Sequence, residues 1–316
     1  MQVTIWGVRG SLPTPMGQEQ FRRKLEAILA QATPADLASA ESRSAFLDRC
    51  SAVRTYGGNT SCVEVALENA TLICDAGSGI RGLSDRLFAD GRGVDHPLHV
   101  LFTHFHWDHL CGLPFFGPIY VPQRKLDFWS WRTAEDIDRL LGLQMADAHF
   151  PVKWPDLPSR RSCHHIDVDT VTDIAGASVR CLEMVHPDGA YGYRIDHGGH
   201  AVCYLTDTEV SRDPAAYQQQ YADFVEGADL VIVDSMYGFL QYHEHYDFGH
   251  SSIFTWIDFF KQSTIGELLI FHHDPQAADE DLEQLGDSAQ RYLELIAPEA
   301  SWKLGLAHEG LTRQLG

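Results

Sequence analysis

Three histidines and an aspartate lie within six residues of one another, in the segment 103–109 (Thr-His-Phe-His-Trp-Asp-His). The segment directly follows residues 98–102, an apolar run whose length and composition are typical of a buried strand. On an extended chain His104 and His106 point the same way, so both can bind one ion. A turn after them would bring the remaining aspartate and histidine towards a second ion. Because imidazole suits zinc and its neighbours while carboxylates suit harder ions, this mixture predicts a divalent metal site.

Three more potential ligands follow along the chain, each at the end of an apolar run. They are His186, Asp207 and His272. Singly, each would more often be an ordinary polar loop residue, and the histidine-rich segment could be a surface turn. Their number and their positions after strand-like runs favour a metal site instead. His273 is an open alternative to His272 as the last ligand.

Periodicity predicts the elements around these residues. We predict strands at residues 2–6, 62–67, 71–75, 98–102, 178–185, 191–196, 200–205, 229–234, 268–271 and 302–306. We predict helices within 18–50 and at 80–88, 134–143, 215–225, 251–261 and 277–296. This order of elements predicts an α/β fold with two sheets between helices, an αββα sandwich. Without repeats or a linker, we expect one domain, 1–316, with insertions at about 14–52 and 119–165.

Charge and composition narrow the class of substrate. The formal net charge is −20, with 24 basic against 44 acidic residues, which disfavours long nucleic acids as partners. A small anionic substrate stays open, because divalent cations would dominate the local field. No apolar run approaches the length of a membrane span, and no signal-like segment opens the chain. The seven cysteines form no CxxC pair. We therefore expect buried thiols and a cytoplasmic location.

The HxHxDH spacing resembles the metal-binding signature of the metallo-β-lactamase superfamily, an αββα fold. Segments outside the ligands look like the small phosphodiesterases related to tRNase Z. These segments are Arg9-Gly10-Ser11, residues 57–62 (GGNTSC), 75–80 (DAGSGI), Gly192-Tyr193-Arg194, 206–209 (TDTE) and 249–252 (GHSS). That branch includes cyclic-nucleotide and cyclic-phosphate phosphodiesterases, among them phage enzymes that degrade cyclic nucleotide defence signals. The basic arm with which tRNase Z grips tRNA has no counterpart here.

The resemblance implies a ligand set for two divalent ions, zinc first and manganese second. We assign His104, His106 and His186 to one ion, Asp108, His109 and His272 to the other, and Asp207 to both, since a carboxylate offers two oxygens. Two such ions can generate a hydroxide and clamp the oxygens of a phosphodiester during hydrolysis.

Asp108 and His250 are the predicted catalytic residues. His250, in the GHSS segment, would be the general acid or a donor to a phosphate oxygen, oriented by Glu209 or Asp234. The expected activity is hydrolysis of a small phosphodiester such as a cyclic nucleotide. Alternatives are a tRNA 3′-end endonuclease and a metal-stabilised binding or sensor module without turnover.

Two groups of residues are predicted to contact substrate. Asn59, Thr60 and Ser61 would either contact phosphate or only build a turn. Trp129, Trp131 and Trp154, in the 119–165 insertion, would form an aromatic lid that stacks on a nucleobase, or else belong to the core. We also expect a homodimer in which this lid reaches the partner's site, and no membrane or long nucleic acid as a partner.

Overall fold

A computed structural model describes residues 1–168 and 170–316 and shows two seven-stranded sheets. The strands are β1 (Gln2–Gly7), β2 (Cys62–Ala66), β3 (Thr71–Cys74), β4 (Leu98–Leu101), β5 (Lys125–Ser130), β6 (Arg160–His165), β7 (Thr172–Ile174), β8 (Ala177–Met184), β9 (Ala190–His197), β10 (His200–Leu205), β11 (Leu230–Asp234), β12 (Glu267–Phe271), β13 (Lys303–Leu306) and β14 (Thr312–Gln314). The first sheet has the order β14-β1-β2-β3-β4-β5-β6. The second has the order β13-β12-β11-β10-β9-β8-β7.

The helices lie between these strands. They are α1 (Gln18–Gln31), α2 (Ala40–Arg49), α3 (Ile80–Ala89), α4 (Trp107–Leu110), α5 (Ala134–Gln144), α6 (Pro214–Val225), α7 (Phe239–Glu244), α8 (Ile253–Phe260) and α9 (Asp279–Ile296). Among the described residues no helix is both long and apolar enough to cross a membrane.

Three apolar layers hold the elements together. Between the sheets, Val63 and Leu72 of the first sheet pack in one cluster with Tyr193 and Phe271 of the second. On the outer face of the first sheet, apolar residues of α3 and α5 are buried against β3, β4 and β5. On the outer face of the second sheet, α6, α8 and α9 form the third cluster. The expected αββα sandwich is confirmed.

Residues 119–165 differ from the predicted insertion. Their two ends form β5 and β6, which extend the first sheet in parallel pairing beyond β4. The segment therefore continues the sandwich instead of interrupting it, and α5 is the crossover between the two strands. The sequence hid these strands because exposed or charged side chains alternate with apolar ones in β5, while β6 is largely polar at the edge of the sheet.

Residues 14–52 contain α1 and α2, which add little to the core. Helix α1 has no buried residue, and Phe46 is the one buried residue of α2. Phe21, Leu25 and Leu29 are spaced four apart on α1, so they form an apolar stripe along one side of the helix, and they are 43–64% exposed.

The two sheets bring the predicted ligands to one edge. Strands β3 and β4 are parallel, as are β10, β11 and β12, so the carboxyl ends within each set point the same way. Residues immediately after β4, β10 and β12 supply His104, Asp207 and His272. Strand direction therefore accounts for the position of these residues at the carboxyl ends of the strands.

Candidate metal centre

The predicted ligands form two groups at this edge. His104, His106 and His186 form one group, and Asp108, His109, Asp207 and His272 form the other; within each, one nitrogen or carboxylate oxygen per residue lies within 4.8 Å of all the others. These are the seven residues that the sequence predicts as ligands. The segment after His106 forms the short helix α4, which turns Asp108 and His109 into the second group.

Asp207 lies between the two groups and offers one oxygen to each. Its Oδ1 is 3.9 Å from Nε2 of His104 and 3.9 Å from Nε2 of His186. Its Oδ2 is 3.1 Å from Nε2 of His109 and 3.3 Å from Nε2 of His272. Asp108 completes the second group, because its Oδ2 is 3.2 Å from Nε2 of His272.

The donor atoms fit divalent cations. Nε2 of His104 and Nε2 of His109 are buried and have no hydrogen-bond partner among the described residues, although a buried polar nitrogen is costly to leave unpaired. Both face carboxylate oxygens of Asp108 or Asp207. Imidazole nitrogens and carboxylate oxygens are the ligands that zinc and manganese accept. A bound cation would satisfy the two unpaired nitrogens.

The pKa shifts of Asp207 and His109 also indicate that positive charge is favoured at this position. Burial favours the neutral form of Asp207, but His272 and His109 outweigh it and hold the pKa of this carboxyl well below its usual value. Burial also disfavours charge on His109, yet Asp207, Asp108 and Asp75 raise its pKa well above the usual value. The buried carboxylates thus draw protons onto the imidazoles, a role that a metal cation would take over.

Asp75 belongs to the candidate site, and the sequence analysis missed it. It is fully buried after β3, and its Oδ2 lies 2.8 Å from Nδ1 of His109. The same carboxylate accepts hydrogen bonds from the backbone and hydroxyl of Thr103 and from the hydroxyl of Tyr204. A carboxylate that holds the far nitrogen of a histidine fixes its tautomer and leaves Nε2 free for a metal. An aspartate directly after a strand was the available signal.

His250 faces the site and is held by Asp234. Nδ1 of His250 is 2.8 Å from Oδ2 of Asp234, which also accepts the backbone N–H of Thr208. Burial lowers the pKa of His250, but Asp234 outweighs burial and raises this pKa to about 9. Of the two candidates to orient His250, the structure places Asp234 there.

Glu209, the other candidate, holds the backbone instead. It is 2% exposed and accepts hydrogen bonds from the backbone N–H groups of Asp247 and Gly249 at 2.7 and 3.1 Å. The carbonyl of Gly249 in turn lies 2.9 Å from Nδ1 of His186. Glu209 therefore connects the loop before His250 to one of the predicted metal ligands.

Close packing and unusual backbone shape this edge. Asp75, Asp207 and His272 all have φ between +56° and +61°, a left-handed conformation that costs a non-glycine residue about 1–3 kcal/mol. A Cβ on Gly10 would lie 2.5 Å from Cε1 of His272, so only glycine lets this loop lie on that ring. A Cβ on Gly249 would similarly approach His186 to 2.4 Å.

The directions in which the two rings point separate His272 from His273 as the last potential ligand. Both rings are fully buried, but Nε2 of His273 lies 2.8 Å from the carbonyl of Ala307, away from the two groups. Burial lowers the pKa of His273 to about 3, which keeps the ring neutral. His272 is the residue that faces Asp108 and Asp207.

The segment Asn59-Thr60-Ser61 builds a turn, and the predicted phosphate contact is not supported. Thr60 and Ser61 are fully buried. The amide of Asn59 donates to Glu309 and accepts from Ser78, so its polar atoms are already used. Of the two interpretations left open by the sequence, turn formation is the one that the structure favours.

The three tryptophans occupy different places. Trp154 is 3% exposed, packs on Phe128 in the outer core and donates to Asp138, so the predicted stacking on substrate is wrong for this residue. Trp129 stacks on His164 with ring centroids 4.2 Å apart and packs against the core between the sheets. Trp154 is therefore a core residue, whereas Trp129 is partly buried and is in stacking contact with His164.

Trp131 alone lies beside the loop that follows His186. Its ring would be 3.4 Å from a Cβ on Gly189, and it packs on Tyr191 with centroids 4.7 Å apart. The guanidinium of Arg132 also lies over the ring, 4.4 Å from its centroid. A half-buried ring at this position stays a candidate for contact with substrate.

The sandwich and its histidine–aspartate edge define the class of metallo-β-lactamase-fold proteins. The chain belongs to the β-lactamase superfamily domain family, which matches residues 70–273. That range contains the residues of the candidate site from Asp75 to His272.

Two curated relatives are nucleases. One is ribonuclease Z of Haloarcula marismortui, 25% identical over 167 residues, which cover 49% of this chain and 47% of that protein. The other is endoribonuclease YSH1 of Yarrowia lipolytica, 23% identical over 56% of this chain and 22% of the relative. The match thus spans about half or less of the length of these relatives.

Similar solved structures cover the chain almost completely. The metallo-β-lactamase fold protein YhfI from Bacillus subtilis has a TM-score of 0.64 at 18% identity and covers 99% of this chain and 98% of its own. Yeast PDE1 has a TM-score of 0.62 at 13% identity, covering 99% of both chains. The short form of human tRNase Z has a TM-score of 0.58 at 15% identity over the full length of both. The chain thus has its structural neighbours in the phosphodiesterase branch of the fold, a branch of metal-dependent hydrolases.

Proposed function

We propose that this protein is a dinuclear metal-dependent phosphodiesterase that hydrolyses a cyclic nucleotide. The observation that carries the proposal is the position of Asp207, whose two oxygens face two separate groups of imidazoles. A single tetrahedral ion would not need seven ligands. Two adjacent ions can share one carboxylate, which makes a pair of ions the simplest occupant.

The residues have separate roles in this proposal. His104, His106 and His186 would hold one ion, and Asp108, His109 and His272 the other, with Asp207 between them. Two such ions, when bound, lower the pKa of water and neutralise the charge on a phosphodiester. Asp75 keeps the proton of His109 on Nδ1.

His250 is placed to handle a proton or a phosphate oxygen. With Nδ1 on Asp234, its Nε2 is the nitrogen left for substrate, and the raised pKa keeps a proton available near neutral pH. The ring centroids of His250 and His272 are 5.1 Å apart, so His250 would lie beside a phosphodiester held at His272. Protonation of the leaving oxygen is the role that this geometry supports.

The choice of a small substrate is supported by charge. A chain with 20 excess negative charges repels a long polyanion, whereas a single phosphodiester would sit beside two cations. The names of the neighbours, which include a diphosphatase of the PhnP family and a yeast PDE, are compatible with small phosphate substrates.

A second candidate is a tRNA 3′-end endonuclease. The match to ribonuclease Z of Haloarcula marismortui favours it, and so does the similarity to the fold of human tRNase Z. The acidic charge and the lack of a basic arm in the sequence disfavour it. A direct comparison of substrates separates the two.

The test is a turnover screen of the purified chain with Zn²⁺ or Mn²⁺. Cyclic mononucleotides, cyclic dinucleotides and a tRNA precursor are compared, with bis-p-nitrophenyl phosphate as a general phosphodiester. We expect cyclic nucleotides to be cleaved and the precursor to be left intact. Asp108→Asn and His104→Ala should abolish turnover. His197→Ala is the matched control and should keep turnover, because His197 ends β9 at the opposite end of the second sheet.

Two other outcomes of this screen would indicate the alternative functions. Cleavage of the precursor alone would establish the endonuclease. Metal binding with no hydrolysis of any substrate would instead indicate a metal-stabilised binding module.

A further inference from the structure

A cleft opens beside the candidate metal centre, between residues 236–248 and the first half of α9, with a volume of about 960 Å³. Two of its lining residues connect it to the site. The N–H of Ser11 donates to Oδ2 of Asp108 at 2.8 Å. The ring of Tyr237 is 6.1 Å from that of His250, centroid to centroid. The cleft is therefore in contact with the candidate site through Ser11 and Tyr237.

Aromatic rings line the wall formed by residues 236–248. Tyr237 and His245 are stacked with centroids 4.7 Å apart, and Phe248 contacts His245 edge-on at 5.4 Å. Phe248 and Phe239 are both 60% exposed, although each side chain is large and apolar. Exposed aromatic faces next to a phosphate-binding site are the surfaces on which nucleobases stack.

The charge of the lining selects what can bind there. Of the residues that the structure describes, no lysine or arginine lines the cleft, whereas Glu244, Asp274 and Asp281 do. Asp274 and Asp281 already accept hydrogen bonds from the backbone of Gln276 and Ala278.

The carboxylate of Glu244 makes no hydrogen bond or ion pair with any residue that the structure describes. A phosphate is repelled from such a lining, and a neutral group with N–H donors is favoured.

We propose that this cleft binds the base of the substrate, and that Glu244 selects bases that carry an exocyclic amino group. Phe248 supplies the stacking surface at the entrance. The inference rests on the proposed phosphodiesterase function and adds the part of the substrate that the metals do not contact. Adenine, guanine and cytosine carry such an amino group; uracil does not.

The experiment compares kcat/KM for 3′,5′-cyclic AMP, CMP and UMP, with bis-p-nitrophenyl phosphate as a base-free substrate. Phe248→Ala should raise KM for all three nucleotides and lower kcat/KM by about 5- to 150-fold, the range for one stacked base. Its loss on the base-free substrate should be clearly smaller. Glu244→Gln should reduce the preference for cyclic CMP over cyclic UMP by about fivefold or more, since a charge-assisted hydrogen bond is lost.

Glu299→Gln is the charge-matched control, because Glu299 precedes β13 at the end of the sheet away from the site. An equal CMP-to-UMP ratio in the wild type, or a ratio that responds equally to Glu244→Gln and Glu299→Gln, would overturn the selection by Glu244. Equal losses on all four substrates in Phe248→Ala would overturn the stacking.

A failure of the proposed phosphodiesterase function would give a different result in this experiment. Hydrolysis of bis-p-nitrophenyl phosphate without cleavage of any cyclic nucleotide would leave a phosphodiesterase and remove the base site. Absence of hydrolysis on all four substrates would overturn both.

Discussion

Replacing Asp75 with asparagine should weaken metal binding even though Asp75 is not a ligand. Its two carboxylate oxygens accept hydrogen bonds from donors that cannot all adapt to an amide. Oδ1 accepts the backbone N–H of Thr103 at 2.9 Å, and Oδ2 faces Nδ1 of His109 at 2.8 Å. The hydroxyls of Thr103 and Tyr204 can rotate, but a backbone N–H cannot.

Either orientation of the asparagine therefore creates a conflict. With its NH₂ towards Thr103, one buried backbone donor loses its acceptor. With its NH₂ towards His109, the ring must move its proton to Nε2, and the nitrogen intended for a metal is lost. The first case should lower the free energy of unfolding by about 1–3 kcal/mol. The second should weaken metal binding by about 10–100-fold.

Two measurements distinguish these effects. Urea unfolding of the chelator-treated protein gives the change in stability, and competition with a chromogenic chelator gives the affinity for Zn²⁺. Asp127→Asn is the matched control, because Asp127 also holds a histidine, His164, at 2.7 Å, but is 30% exposed and outside the metal groups. We expect Asp127→Asn to change neither quantity appreciably. Unchanged stability and unchanged Zn²⁺ affinity in Asp75→Asn would refute the argument.

Four further predictions follow from the same geometry. Elemental analysis should find two metal ions per chain, and a value that stays near one in fully active protein would contradict the dinuclear site. His250→Ala should keep both metals and lower turnover by about 10²–10⁴-fold, the usual range for a positioned acid or base; loss of metal would make His250 a ligand. Trp131→Ala should raise KM for nucleotides, whereas Trp154→Ala should lower the free energy of unfolding by about 3–5 kcal/mol as measured by urea. Light scattering should report a homodimer, which would cover the exposed apolar stripe of α1; a monomer would contradict it.

The sequence by itself determined the layers of the fold and the residues of the candidate metal centre. Most elements were predicted within two residues of their ends, because periodicity of apolar side chains is a local property. The meeting of these residues was predictable for a related reason. His104, Asp207 and His272 each follow a strand, and residues that follow parallel strands gather at one edge of a sheet.

What the sequence could not determine depends on contacts between distant parts of the chain. His272 and His273 are adjacent and equally buried, and only the positions of Asp108, 164 residues away, and of the Ala307 carbonyl separate them. The same holds for Asp234 and Glu209. Both are buried carboxylates near His250, but one bonds to its ring and the other to the backbone before it.

Trp154 and residues 119–165 are a further case in which the sequence alone could not determine the structure. Aromatic residues in a polar, proline-bearing segment are compatible with a lid and with an edge of the sheet. The pairing of β5 with β4 and of β6 with β5 decided between them, and the packing of Trp154 on Phe128 followed from that pairing. A strand at the edge of a sheet is stabilised mainly by its contacts with the neighbouring strand. Only the tertiary structure shows which strand that neighbour is.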